Sequence, residues 1–183
     1  IIAIIIIGQV RTFIIPRVYL SLKTFIIDKL DQQNIDYMLF FYLDNKMEYL
    51  WQDNINYSEY NINIYYIENI INKITTKYIL TFYNIDTIIK EIPIINSSLT
   101  QTLQAYLLYK IYNKVQDYEK LNNINFKYII KTRPDVNYHK YNNYTLNDLI
   151  NRITINNCII KDWDVFYIFP RHLSDIIIKL YYL

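Results

Sequence analysis

The chain opens on Ile-Ile-Ala-Ile-Ile-Ile-Ile and closes that run with Gly8. No other stretch limits the accessible folds so tightly. β-branched side chains favour extended backbone, and a run with no polar alternation has no face to give to water. Such a segment suits a central parallel strand covered on both sides. Both covers are normally helices, reached through crossover connections, so an α/β architecture with a mostly parallel sheet is expected. Ile1–Ile7 is too short to span a bilayer. It also lacks the basic flank and small-residue cleavage site of a signal peptide. The chain starts without Met inside this run and stops at Leu183 inside an expected helix, so it reads as one domain, residues 1–183, of a longer protein.

Gly8 is the only glycine in 183 residues. A phosphate loop, a dinucleotide-binding fingerprint and a hydrolase nucleophile elbow each need more than one. None of these can be present in its usual form. The chain holds 38 Ile, 21 Asn and 21 Tyr, a bias that A/T-rich codons would produce. Turns that need a positive φ must then use Asn, the most tolerant substitute for glycine. Asn122-Asn123 and Asn142-Asn143 therefore read as turns. A net charge of +2 with no dense basic block gives no argument for nucleic acid or an anionic membrane. With two His and one Cys, a Cys/His zinc site is effectively absent. Cys158 reads as a small core residue; being single it cannot form an internal disulfide, which favours a reducing compartment, read as the cytoplasm, or indifference to redox.

Helical spacing follows Pro16 through Val18, Leu22, Phe25, Ile26 and Leu30, predicting a helix of about four turns. Asp36–Tyr42 predicts a second strand that ends at Leu43-Asp44-Asn45. Together these make a right-handed βαβ unit. Asn61–Ile67 alternates and is read as a strand. Ile70–Ile89 mixes periods and gives no assignment. Ser97 or Ser98 caps a long helix with Leu99, Leu103, Leu107, Ile111 and Val115 on one stripe. Further strands are expected at Phe126–Lys131, Cys158–Lys161 and Val165–Phe169. Helices are expected over Asn143–Arg152, capped by Thr145, and over Ser174–Leu183.

Ligands of parallel α/β sheets bind beyond the carboxyl ends of the strands, so the residues there are the candidates. Gly8 allows close backbone approach, and Arg11 brings a planar donor fork suited to a diphosphate; an ordinary turn with a surface arginine is the competing reading. Pro134 restricts Arg133 and fixes Asp135 at a defined point past a buried strand. A carboxylate so placed could hold Mg²⁺ or Mn²⁺, or it could simply pair with Arg133 in a strand-ending turn. Asp162 and Asp164 would begin a strand on one face, where they could hold a metal or supply a base. His139 and His172 have no sequence partners that suggest catalysis. Without a basic stripe, the tyrosines read as core and surface filler rather than base-stacking platforms.

The order of these motifs resembles a group of GT-A-like glycosyltransferases found in bacteria and large viruses. That pattern begins with a hydrophobic strand and G-x-x-R-[ST]-F, here Gly8-Gln9-Val10-Arg11-Thr12-Phe13. A long helix with a glutamine follows (Gln101 or Gln104), then Tyr118-Glu119, then a strand ending in R-T-R-[PV]-D, here Lys131-Thr132-Arg133-Pro134-Asp135. A D-x-F strand, Asp164-Val165-Phe166, and Arg171-His172-Leu173-Ser174-Asp175 close it. Lys131 stands where the pattern has its first arginine. The resemblance implies a Rossmann-like three-layer sandwich that binds a nucleotide-diphospho-sugar and transfers the sugar to a hydroxyl of a glycan or protein acceptor. It implies that Gly8, Arg11, Asp44, Gln104 and Arg133 contact the donor. Asp135 would hold Mg²⁺ or Mn²⁺, or the donor ribose or sugar, and Asp164 would be the base or a second polar contact to the sugar. A catalytically degenerate domain that binds a sugar or a partner is the alternative.

Overall fold

The computed structural model describes residues 1–44, 63–92, 99–138, 145–162 and 165–176. Its centre is β1 (Ile2–Gln9), whose first six residues are all buried. Two further parallel strands lie on one side, β2 (Tyr37–Asp44) and then β3 (Tyr78–Tyr83). On the other side β1 pairs in parallel with β4 (Tyr128–Thr132). The sheet ends with β6 (Phe166–Pro170) and β5 (Ile160–Asp162), both antiparallel to their neighbours. The order of the six strands is thus β3-β2-β1-β4-β6-β5. The expected parallel sheet is present over four strands and gains an antiparallel hairpin at one edge.

The helices form the outer layers. After a 3-10 turn at Arg11–Ile14, Pro16 occupies the first position of α1 (Pro16–Leu22). Lys23–Ile27 continues as a π-helical turn into α2 (Asp28–Gln32). These helices share one face of the sheet with α3 (Ile64–Asn72) and α6 (Leu146–Asn156), around Ile4, Ile6, Leu39, Phe41 and Ile130. The other face holds Ala3, Ile5, Phe40 and Ile129, covered by α4 (Ile85–Glu91) and the long α5 (Leu99–Asn122). Odd and even strand residues thus feed two separate cores, and each fully buried isoleucine contributes about 1.5–3 kcal/mol of transfer free energy.

The alternating stretch at Asn61–Ile67 does not form a strand where it is described. The Asn63 side chain accepts the Tyr66 amide and starts α3, which buries Ile67, Ile70 and Ile71. A cap and an i, i+3, i+4 stripe outweigh a short run of alternation. The mixed-period stretch after it contains the end of this helix, β3 and α4. α5 ends within one residue of expectation, and its stripe is buried at Leu107, Ile111 and Val115. Ser97 and Ser98 lie outside the described residues. Thr145 caps α6 in a full capping box with Asp148. Among the described residues the non-glycine positions with positive φ are Asn34, Asn123 and Asn157, which is the role expected of Asn in a chain this poor in glycine. No helix among the described residues is long and apolar enough to cross a membrane.

Candidate functional site

The strand order fixes where a site can form. From β1 the chain moves outward to β2 and β3, then returns to the far side of β1 to place β4. The strand order therefore reverses between β1 and β4, and in parallel α/β sheets ligands bind at such a point, beyond the carboxyl ends of the strands. A cleft of about 280 Å³ lies there, near the lower limit of the roughly 300–1,000 Å³ typical of small-molecule sites. Its lining comes from all four parallel strands: Gly8 and Gln9 of β1, Asp44 of β2, Tyr83 of β3, and Lys131, Arg133 and Asp135 at the end of β4. Leu103, Gln104 and Leu107 of α5 form one wall.

Register explains this convergence. Gln9 pairs with Asp44, and Asp44 pairs with Tyr83, so the three form a row across the sheet. Asp44 and Tyr83 fall on the strand parity that faces α5, and Lys131 shares it two residues beyond Ile129. β1 and β4 are aligned with Ile6 opposite Thr132. Two residues further along each strand, Gly8 meets Pro134. Gly8 has φ +145°, a conformation closed to most residues, and a Cβ there would sit 3.0 Å from Pro134 Cδ. The close approach that requires glycine is therefore made by the proline ring of the Arg133-Pro134-Asp135 turn. That contact is a different reason for this glycine than room for a ligand.

The turn is also held from behind. The Thr132 hydroxyl bonds the Tyr138 hydroxyl, and the Tyr138 amide donates to Ser21 Oγ at 3.0 Å. The buried Tyr138 ring stacks on Phe25, with centroids 5.5 Å apart. Arg133 and Asp135 pair with each other on this fixed base. Nε donates to Oδ1 at 2.9 Å and Nη2 to Oδ2 at 2.7 Å, with side-chain exposures of 34% and 20%.

Asp44 is fully buried below the cleft, a costly place for a carboxylate. Burial, followed by the Asp44 charge, pushes the Tyr83 phenol well above its ordinary range. The Lys131 ammonium lies 4.9 Å from the centre of the Tyr167 ring. Two carboxylates and two cations thus line one cleft.

Five of the residues marked in the sequence come together here: Gly8, Asp44, Gln104, Arg133 and Asp135. The backbone at Arg11 enters the 3-10 turn after β1, but its side chain lies outside the described residues, as does Asp164. Asp162 ends β5 opposite Phe166 and does not begin a strand. Gln9 belongs to the marked stretch after the first strand, whereas Tyr83, Leu103, Leu107 and Lys131 were not marked as site residues. Tyr83 was hidden by the mixed periodicity before it.

Tyr118 and Glu119 do not reach the cleft. Glu119 takes a fork from Arg171, with Nε to Oε1 at 3.0 Å and Nη2 to Oε2 at 2.8 Å, and accepts the Phe126 amide. This cluster lies at the opposite end of the sheet, where the Arg171 amide bonds the Lys127 carbonyl.

Among the described residues no cluster of three or more His, Cys, Asp or Glu could hold a metal ion. The carboxylates lining the cleft are Asp44 and Asp135. Mg²⁺ commonly takes one or two carboxylates and completes its shell with water and substrate phosphates. This donor set fits a divalent ion that arrives with a phosphate ligand, with Asp135 as the accessible carboxylate. Comparisons with protein-family models, curated proteins and solved structures find no match to this chain.

Proposed function

We propose that this chain is a glycosyltransferase domain that binds a nucleotide-diphospho-sugar in the switch-point cleft and transfers the sugar to an acceptor hydroxyl. The observation that carries this reading is the meeting of Gly8, Asp44, Gln104, Arg133 and Asp135 in one cleft. These positions come from separate segments whose motif order resembles GT-A-like enzymes. The donor diphosphate would lie against Lys131 and Arg133, whose charges stabilise the departing nucleoside diphosphate. Asp135 would bind Mg²⁺ or Mn²⁺ together with the diphosphate, or hydrogen-bond the donor sugar. A bound divalent ion would neutralise charge on the leaving group. Arg11 is assigned to the nucleotide and Asp164 to the acceptor side as base. The acceptor would be a glycan or protein hydroxyl, and the site of action the cytoplasm.

A second reading is favoured by one observation. Both oxygens of Asp135 are already engaged by Arg133, as in a domain that binds a sugar or partner without turnover. Measuring donor hydrolysis and transfer with UDP-, GDP- and CMP-sugars separates the two readings. The enzyme predicts metal-stimulated turnover of one nucleotide family, abolished by Asp135→Ala with the fold intact. Turnover of no donor favours the binding module, and full turnover by Asp135→Ala removes that residue from the mechanism.

A further inference from the structure

We propose that the Arg133–Asp135 fork is an exchange switch that couples anion binding to cation binding in the cleft. This rests on the reading above and adds regulation of the same site. Arg133 presents Nε and Nη2 to the two oxygens of Asp135. A diphosphate offers the same fork geometry to a guanidinium as a carboxylate does, so it competes with Asp135 for Arg133. A divalent cation needs the oxygens that Arg133 covers, so it competes with Arg133 for Asp135.

The backbone beneath this pair is fixed, which confines the exchange to the two side chains. Pro134 is wedged against Gly8, and Thr132 and Tyr138 are bonded to each other, with Tyr138 tied to Ser21 on α1. Lys131 lines the same cleft. Either ligand alone must break the fork. The two ligands together break it once and satisfy both halves. Each ligand therefore raises the affinity of the other by the same factor, as linkage requires. Ligand-free protein is held in a self-paired state, and the cation and the phosphate ligand favour each other's loading.

The test measures each ligand alone on the full chain, so that complexes between them do not confuse the result. Mn²⁺ binding is followed by the electron paramagnetic resonance signal of the free ion, and metal-free inorganic diphosphate binding by calorimetry. Arg133→Lys keeps the charge and loses the fork, Arg133→Gln loses both, and Lys131→Gln removes a neighbouring charge only. Couplings of this kind are about 5- to 150-fold, so Arg133→Gln is expected to bind Mn²⁺ about tenfold more tightly than the parent. Arg133→Lys should also bind it more tightly, and Lys131→Gln should change it by less than about threefold on the same scale. Asp135→Asn should bind diphosphate more tightly, because Arg133 is released. Circular dichroism confirms the fold of each variant.

Equal Mn²⁺ affinity in Arg133→Lys and the parent, or equal gains in Arg133→Gln and Lys131→Gln, would overturn the switch in favour of bulk charge. The outcome is separable from the proposed function. The Mn²⁺ pattern can hold in a protein that turns over no nucleotide-sugar, which removes only the enzyme. Asp135-dependent turnover with unchanged Mn²⁺ affinities removes only the switch.

Discussion

Among the described residues, two arginine–carboxylate forks of nearly the same geometry lie at opposite ends of one sheet. Glu119 and Arg171 are 52 residues apart and join the end of α5 to the chain after β6. Their side chains are 8% and 21% exposed. The remaining donors and acceptors are taken up as well: the Phe126 amide bonds Glu119, Ser174 Oγ accepts from Arg171, and the guanidinium lies 4.9 Å from the Tyr112 ring centre. Arg133 and Asp135 are two residues apart and line a cleft. The same chemical unit is a brace where it is enclosed and spans the fold, and a cleft-facing pair where it is half-exposed. Pair geometry alone does not assign a role; burial and the sequence distance bridged do.

The largest expected effect breaks the brace. Glu119→Gln leaves the largely enclosed Arg171 with only the exposed Asp175 carboxylate, 4.0 Å away, as counter-charge, and loss of one partner of a buried pair costs about 3–5 kcal/mol. Urea unfolding should show a loss near the lower figure, since Arg171 keeps some exposure. Asp135→Ala sharpens the contrast from the other side. An exposed pair is worth about 0–1 kcal/mol, so its urea midpoint should barely move while metal-dependent turnover disappears. A destabilisation equal to that of Glu119→Gln would erase the distinction between the two forks.

Gly8→Ala is expected to fall between these in stability. A non-glycine residue in that φ region costs on the order of 1–3 kcal/mol, and the new methyl would push on Pro134. Donor binding should weaken together with melting temperature, because the turn carrying Arg133 and Asp135 must shift. By contrast, Asn123→Gly, at φ 51°, should change stability by less than about 1 kcal/mol.

Alkaline pH tests the brace end as a unit. Burial pushes the Tyr112 phenol up to about 12 from its ordinary value of 10.0. The folded state keeps this proton where the unfolded chain has released it. The contribution is therefore complete below about pH 10 and is lost as pH rises towards about 12. Urea midpoints in this window should fall less steeply in Tyr112→Phe than in the parent, with tyrosinate absorbance reporting ionisation.

Much of this was legible in the sequence, for identifiable reasons. An unbroken isoleucine run has one comfortable place in a soluble fold, and β1 occupies it. Gly8, Pro134 and the strand-end rule marked both sides of the cleft before any geometry was known, and Asn123 turned where glycine was missing. The antiparallel hairpin of β5 and β6 was not legible, because strand direction depends on how the chain re-enters the sheet and not on side-chain period. α3 was misread because Asn63 acts through a cap that alternation conceals. Tyr118-Glu119 was marked by its motif, but its partner Arg171 becomes visible only when β4 and β6 align the two ends.

The most direct test of the central claim is a thermal-shift comparison of the parent chain and Asp135→Ala with UDP-, GDP- and CMP-sugars, with and without Mn²⁺. A nucleotide-sugar cleft at the switch point predicts stabilisation by one nucleotide family, larger with Mn²⁺ and lost in Asp135→Ala. Equal shifts in both proteins, or none with any donor, would contradict it.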